Sequence, residues 1–590
     1  MFTLLVFAAL PLLSVWGMPG SFIAHPLGEL PIKIFVFDVF NPLTHPERFL
    51  GGTLDMISYP NVGTLNNPDP VGSLVVNLLR PLMGLPNAYN LFVCGQLYAA
   101  MCATWLLARD LIRDERAALT AAVAFTFTPL ILVYPVMGAI TDVLNFWPYP
   151  LAILYTLRAL RQEGWRNGLL GGLFAGLGVV TCPYNFVVFA AAVVPAVLWL
   201  PLGWRDGLVP VEDPEALDLS DRRAVARQWL RAAVGVVVPL LVIGGAYALQ
   251  LRHIMDDPTS MIGADAVDVT RHRPPYPYMW PPATDRYMAY LSDYVAVGKD
   301  AMIVRDLGAR LFRAFSPGFL VMGLGVLGLV KAPRRRGAAL WLLIAAFFVI
   351  ASTGPFLPLD GTRFFAQPVN VIWLALHHGF PGADMLLEGF RYTFAAALGF
   401  AVAASLGARW LIQRFGGWVG LALPALITLE VVFVSPVPAP LPTFRPFAPA
   451  LYSHLDELAG PGAIIELPYT IEGTALFDRM HFYHQTLHGR PIANEVQGFL
   501  PRYLATNEFT NRLLSIENQN TAVSLPYVNR QRYKIDQQAL IDDGFAAIIV
   551  NPAHFRNDGV EQQILERLEE VGLPVAREGR LVFVLRKPAP

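Results

Sequence analysis

The chain has 590 residues, of which 54% are hydrophobic and 15% charged, with a mean hydropathy of +0.45 and a formal net charge of −1. A soluble globular protein does not stay dispersed with that balance, so the chain reads as a membrane protein. A near-neutral charge with no basic run beyond "KAPRRR" gives no reason to invoke nucleic acid. Apolar runs of a length that crosses a hydrocarbon layer lie near 1–18, 87–108, 117–136, 145–160, 168–183, 185–202, 232–250, 316–331, 338–353, 393–412 and 417–436. They predict about eleven transmembrane helices. The first, "MFTLLVFAALPLLSVWG", lacks a basic start and an A-x-A site and reads as a retained helix. Cys94, Cys102 and Cys182 fall inside predicted spans without a C-x-x-C pair, so they read as small apolar packing residues.

Arginine and lysine gather in alternate loops: Arg109, Arg113 and Arg116; Arg158, Arg161 and Arg166; Arg205 through Arg231; Lys331 through Arg336; Arg409 and Arg414. The positive-inside rule makes these loops cytoplasmic. Loops 19–86, 137–144, 251–315, 354–392 and the tail from 437 then face outward, so chemistry is expected on the extracytoplasmic side. Residues 1–436 form the expected transmembrane domain, polytopic and α-helical. Beyond the Pro-rich "VSPVPAPLPTFRPFAP", the segments "GAIIELP", "FAAIIVNP" and "RLVFVLRKP" read as strands and "ILERLEEVG" as a helix. An α/β domain over 437–590, of soluble composition and outside the membrane, is the expectation.

In the first outer loop, Ile32, Phe35, Val36, Val39 and Phe40 repeat with helical spacing after Pro31, and a second short helix starts at Asp69-Pro70. The first is too short to span and is expected to lie in the interface with Asp38 turned to water. Glu29 precedes it. A carboxylate there either serves as an anion at a helix start or points into a cavity between helices.

This order of span, acid, two short helices and next span resembles the GT-C superfamily of membrane glycosyltransferases, most nearly the bacterial YfhO-type and uncharacterised GT-C-like membrane proteins. The residues that carry it are "YPNVGTLNNPDP", "NAYNLF", "AFTFTPLILVYPVMGAITDVLNFWPYPL", "LLEGFRYTFAAALGF", "IIELPY" and "HGRPIANE". The resemblance implies an enzyme of the bacterial cytoplasmic membrane that moves a sugar from a polyprenyl-phosphate donor to a glycan, lipid or protein acceptor. It also implies Glu29 as the catalytic base and Asp142 as a second acid, which orients the acceptor or helps hold a divalent metal ion. Otherwise Asp142 is a loop cap.

Phosphate recognition calls for the planar fork of arginine. Arg391 in "LLEGFRYT" is the first candidate, with Arg271, Arg273 and Arg286 beside it; the alternative for Arg391 is a snorkelling boundary residue. Tyr278 and Trp280 in "PPYPYMWPP" either stack on a sugar or anchor the loop in the interface. His481, His484 and His488 share one face if helical, which reads as a metal set or, more simply, as a sugar-facing or solvated helix. No P-loop, Rossmann or G-x-S-x-G motif is present. Two other functions share this architecture: a flippase or transporter for a lipid-linked glycan, which wants charges inside the spans, and a non-catalytic GT-C scaffold.

Overall fold

The computed structural model describes residues 1–196, 222–256, 314–357, 368–380, 389–469, 479–494, 507–517 and 537–585, apart from interruptions of one to three residues, together with Leu291 and Tyr294. Each apolar run contains a helix. Three helices among the described residues are long and apolar enough to cross a membrane alone: Leu85–Ile112, Ala226–Gln250 and Gly389–Phe415. Glu115–Thr126 and Pro129–Met137 make a fourth if the pair, bent by 45°, counts as one span. The bend has a local cause, because Pro129 and Pro135 lack the N–H groups that would continue the ladder, and the second piece winds as a π-helix over Leu132–Met137. The other apolar helices are shorter, from Phe2–Val15 to Val419–Phe433.

Large apolar side chains stay on the outside of these helices, among them Leu5, Leu241, Val242 and Phe433. In Ala226–Gln250 only 17% of the apolar window is buried. An apolar outer surface of this kind suits lipid and not water. Inside, helices touch through small residues: a Cβ on Gly172 would lie 2.2 Å from the Val236 carbonyl oxygen. At the end of Leu85–Ile112, buried Asp110 holds Arg158 at 2.8 Å and Arg161 at 2.5 Å. Two arginines expected in a basic loop are therefore partly neutralised within the fold.

The first outer loop holds helices α2 (Leu30–Val39) and α3 (Pro70–Met83), which follow α1 (Phe2–Ala9) and precede α4 (Leu85–Ile112). Asp69 caps α3 from a left-handed conformation, φ 47°, with Oδ1 accepting the Gly72 N–H at 3.0 Å. Strand β1 (Phe22–Ile23) pairs antiparallel with β4 (Thr443–Phe444), and β2 (Gly52–Leu54) pairs with β3 (Gly63–Leu65).

In the tail, β5 (Ala463–Leu467) runs parallel to β6 (Phe545–Val550), which pairs antiparallel with β8 (Arg580–Val584), and β7 (Val575–Arg577) closes the edge in the order β5-β6-β8-β7. β5 and β6 are buried at every position, in keeping with the unbroken runs "AIIEL" and "FAAIIV". Helix Asp558–Leu568 turns Val560, Ile564 and Leu568 into the core, an i, i+4, i+8 stripe.

The interfacial placing of α2 needs correction. Nine of its ten residues are buried and Asp38 alone is exposed, paired with Arg80 at 2.8 Å. Asp38 faces outward as expected, but the apolar face meets protein. Ile32, Phe35, Val36, Val39 and Phe40 pack with Leu54, Ile57, Phe482 and Ile492 in one core. The Phe35 and Phe482 rings stand 5.6 Å apart, and the Ile492 backbone exchanges hydrogen bonds with Met56 and Tyr59. The tail thus shares a core with the first outer loop.

Candidate active site

The segment 134–142 organises the candidate site, because the stretch 25–33 and Arg391, far apart in the chain, both attach to it. Glu29 donates its backbone N–H to the Gly138 carbonyl at 2.7 Å, and His25 donates to Met137, also at 2.7 Å. The approach is close enough that a Cβ on Gly28 would sit 2.9 Å from that Gly138 oxygen. Lys33, one turn into α2, then reaches Asp142, with Nζ 2.5 Å from Oδ1. At the other end, Arg391 Nη2 donates to the Tyr134 hydroxyl at 3.3 Å, and its guanidinium lies over the Tyr184 ring at 4.5 Å.

Lys33 and Asp142 are nearly closed to solvent, at 8% and 11% side-chain exposure. Burial opposes the ammonium charge, yet Asp142, with Glu29 and Asp69 beyond it, holds the Lys33 pKa above the ordinary lysine value. The ammonium of Lys33 is thus a cation held beside Asp142 by the fold itself. Asp69 completes the group, since Asn145 Nδ2 donates to its Oδ1 at 3.0 Å. Burial, with Asp142 adding to it, pushes the Asp69 carboxyl up to about 6 against the pull of Lys33.

That shift has a stability consequence. A carboxyl with a raised folded pKa leaves the native state holding more protons than the unfolded one, so stability falls as pH rises from about 4 to about 6. Asp69→Asn keeps an acceptor for Gly72 and tolerates the left-handed backbone. It should flatten this part of the pH–stability curve, a contribution of up to about 3 kcal/mol, as read from melting temperatures between pH 4 and 7. An unchanged slope in the variant would remove Asp69 as its source.

Glu29 differs from Asp142 in keeping contact with solvent, at 26% side-chain exposure, and its Oε1 lies 3.4 Å from Arg479 Nη2. Arg479 immediately precedes the tail helix Met480–His488, so the tail reaches the carboxylate directly. Glu29 and Asp142 both bear on Lys33. Arg271, Arg273, Arg286, Tyr278 and Trp280 lie outside the described residues.

The histidine face of the tail helix is not solvated, which corrects the simpler reading of it. His481 and His484 contact Glu466 of β5 at 2.9 and 2.8 Å, and all three are buried. Although burial opposes its charge, the imidazoles of His484, His481 and His488 hold the Glu466 carboxyl well below the usual range.

Lys33 and Arg479 escaped the sequence reading. The signal for Lys33 was present: a lysine in the apolar run "LPIKIFVF" is rare in a buried stretch unless paired. Arg479 had no such mark.

Multiple apolar helices and an apolar outer surface define a polytopic membrane protein. The sequence pattern of the dolichyl-phosphate-mannose-protein mannosyltransferase family matches residues 67–209, a stretch that contains the cap of α3 and the segment 134–142. Among solved structures, the mycobacterial arabinofuranosyltransferase AftD is similar at 13% identity with a TM-score of 0.53, over 99% of this chain and 40% of its own. The chain thus spans less than half the length of AftD. ArnT from Cupriavidus metallidurans, in a crystal structure bound to undecaprenyl phosphate, aligns over 99% of both chains at 14% identity with a TM-score of 0.39. No curated protein matches in sequence. In fold the chain is therefore similar to AftD, and over residues 67–209, about a quarter of its length, its sequence is similar to that mannosyltransferase family.

Proposed function

We propose that the protein is an inverting glycosyltransferase of the bacterial cytoplasmic membrane that takes a sugar from a polyprenyl-phosphate donor and passes it to an extracytoplasmic acceptor. The observation that carries this reading is the attachment of Glu29, Lys33 and Arg391 to the one segment 134–142, which gathers a solvent-touching carboxylate and two cations. In the transfer, Glu29 takes the proton of the acceptor hydroxyl, the new bond forms between that oxygen and the anomeric carbon, and the bond from that carbon to the phosphate oxygen breaks. The phosphate leaves with its charge matched by cations. Arg391, held in orientation by Tyr134 and Tyr184, suits the phosphate oxygens. Lys33 holds Asp142 in place through their 2.5 Å contact, so Asp142 acts as a positioning acid.

The same reading takes about eleven helices as spans, residues 1–436 as the transmembrane domain and 437–590 as an α/β domain on the outer side. The contact of Arg479 with Glu29 supports a common side for the tail and the carboxylate.

Membranes carrying the full chain, given polyprenyl-phosphate pentoses and hexoses, should release polyprenyl phosphate from at least one of them. Arg391→Ala should raise the donor KM about tenfold or more with the protein still present on blots. Failure of every such donor to turn over would overturn the reading.

A further inference from the structure

His481 and His484 stand three residues apart on the tail helix Met480–His488, so their rings share a face, and β5 brings Glu466 against them. Both Nδ1 atoms converge on one oxygen, Glu466 Oε2, at 2.9 and 2.8 Å, and no side chain of the three is more than 4% exposed. The second nitrogen of His481, Nε2, lies 2.8 Å from the Pro468 carbonyl oxygen. A carbonyl only accepts, so Nε2 carries the hydrogen and a neutral His481 turns its Nδ1 lone pair on the carboxylate. Two lone pairs share such a gap only with a positive charge between them. A ring N–H tied to a carbonyl with the other nitrogen free to ligate is the usual setting of a metal-bound histidine.

His488 stays outside the set. Its Nδ1 accepts the Arg490 N–H at 3.0 Å, so the hydrogen of the neutral ring sits on Nε2, which faces Glu466 Oε1 from 3.7 Å. Glu466 Oε1 and His484 Nε2 have no hydrogen-bond partner among the described residues.

We propose that Glu466, His481 and His484 bind one transition-metal ion of the zinc class, which ties the tail helix to β5. Two imidazoles and a carboxylate suit zinc better than magnesium or calcium. The three ligand atoms lie within 4.8 Å of one another. Ligands at about 2.0–2.1 Å in a tetrahedron are about 3.3 Å apart, so the gaps open by about 0.5 Å on binding. The Tyr452 hydroxyl also lies within hydrogen-bond distance of the cluster, 2.9 Å from His484 Nδ1. Burial closes the set to substrate and gives the ion a structural role, one that does not depend on the transferase reading.

The test uses the full chain in detergent, loaded with zinc or cobalt and freed of excess by gel filtration. About one ion per chain should be retained, cobalt should give the visible d–d absorption of a tetrahedral site, and chelation should lower the melting temperature by several degrees with zinc restoring it. His484→Gln should lose retention while His488→Gln keeps it. If His484→Gln does not fold, the cobalt spectrum and the zinc-dependent melting of the parent chain decide. A folded parent that retains no zinc, shows no cobalt band and melts alike with chelator and with zinc would overturn the site and leave a proton shared within the cluster. Loss of the ion from His488→Gln would overturn the ligand assignment.

Discussion

Glu29→Gln should lower turnover about 10²-fold or more, because the amide keeps the size and hydrogen bonding of the side chain and removes the proton acceptor. Its backbone bond to Gly138 is untouched by the change, so protein level and fold should persist. Asp38→Asn is the matched control: its partner Arg80 lies at 2.8 Å, but both side chains are 43% exposed, where an ion pair contributes little. That variant should stay within a few-fold of the parent. Product formation in membranes, normalised to protein on blots, measures both. Parent-like turnover of Glu29→Gln would move the weight to the non-catalytic scaffold reading.

The largest effect on stability should come from Lys33→Met. Removing the ammonium leaves Asp142 buried without the partner at 2.5 Å and leaves Asp69 without its nearest opposing charge. Breaking a buried pair from one side costs about 3–5 kcal/mol, because the remaining group loses its matching cation in a site nearly closed to solvent. Lys33→Met with Asp142→Asn should recover much of this, since neither member is then charged. Heating the detergent-solubilised chain and following the monodisperse fraction by size exclusion reads the three proteins on one scale. A single variant that melts with the parent would show the pair to be dispensable.

The cluster also gives the outer loop a reason to be helical where it is. Pro31 fixes the start of α2, the Asp69 cap fixes the start of α3, and Asn77 joins the two by donating to the Phe37 carbonyl at 2.6 Å. α2 is held by α3 on one side and by Phe482 and Ile492 on the other, and in that position its Lys33 reaches Asp142.

That each apolar run forms a helix was legible in the sequence, a signal that needs no tertiary context, although among the described residues only three of these helices, or four with the bent pair, are long and apolar enough to cross a membrane alone. β5 and β6 were legible for a related reason: buried strands read as unbroken aliphatic runs. Glu29, Asp142 and Arg391 could be singled out as polar residues beside apolar spans. The attachment of Glu29 and Arg391 to the segment that carries Asp142 could not, because it depends on tertiary contacts: backbone bonds from residues 25 and 29 to 137 and 138, and the Arg391–Tyr134 bond. The periodicity of α2 showed an apolar face but not what covers it. An apolar face is satisfied equally by lipid or by protein, and only the fold brings Phe482 and Ile492, some 450 residues away, to cover it. The histidines of the tail helix pose the same limit. Their spacing set them on one face, while Glu466, which turns that face from a solvated surface into a charged core, comes from a strand whose position only the tertiary structure decides.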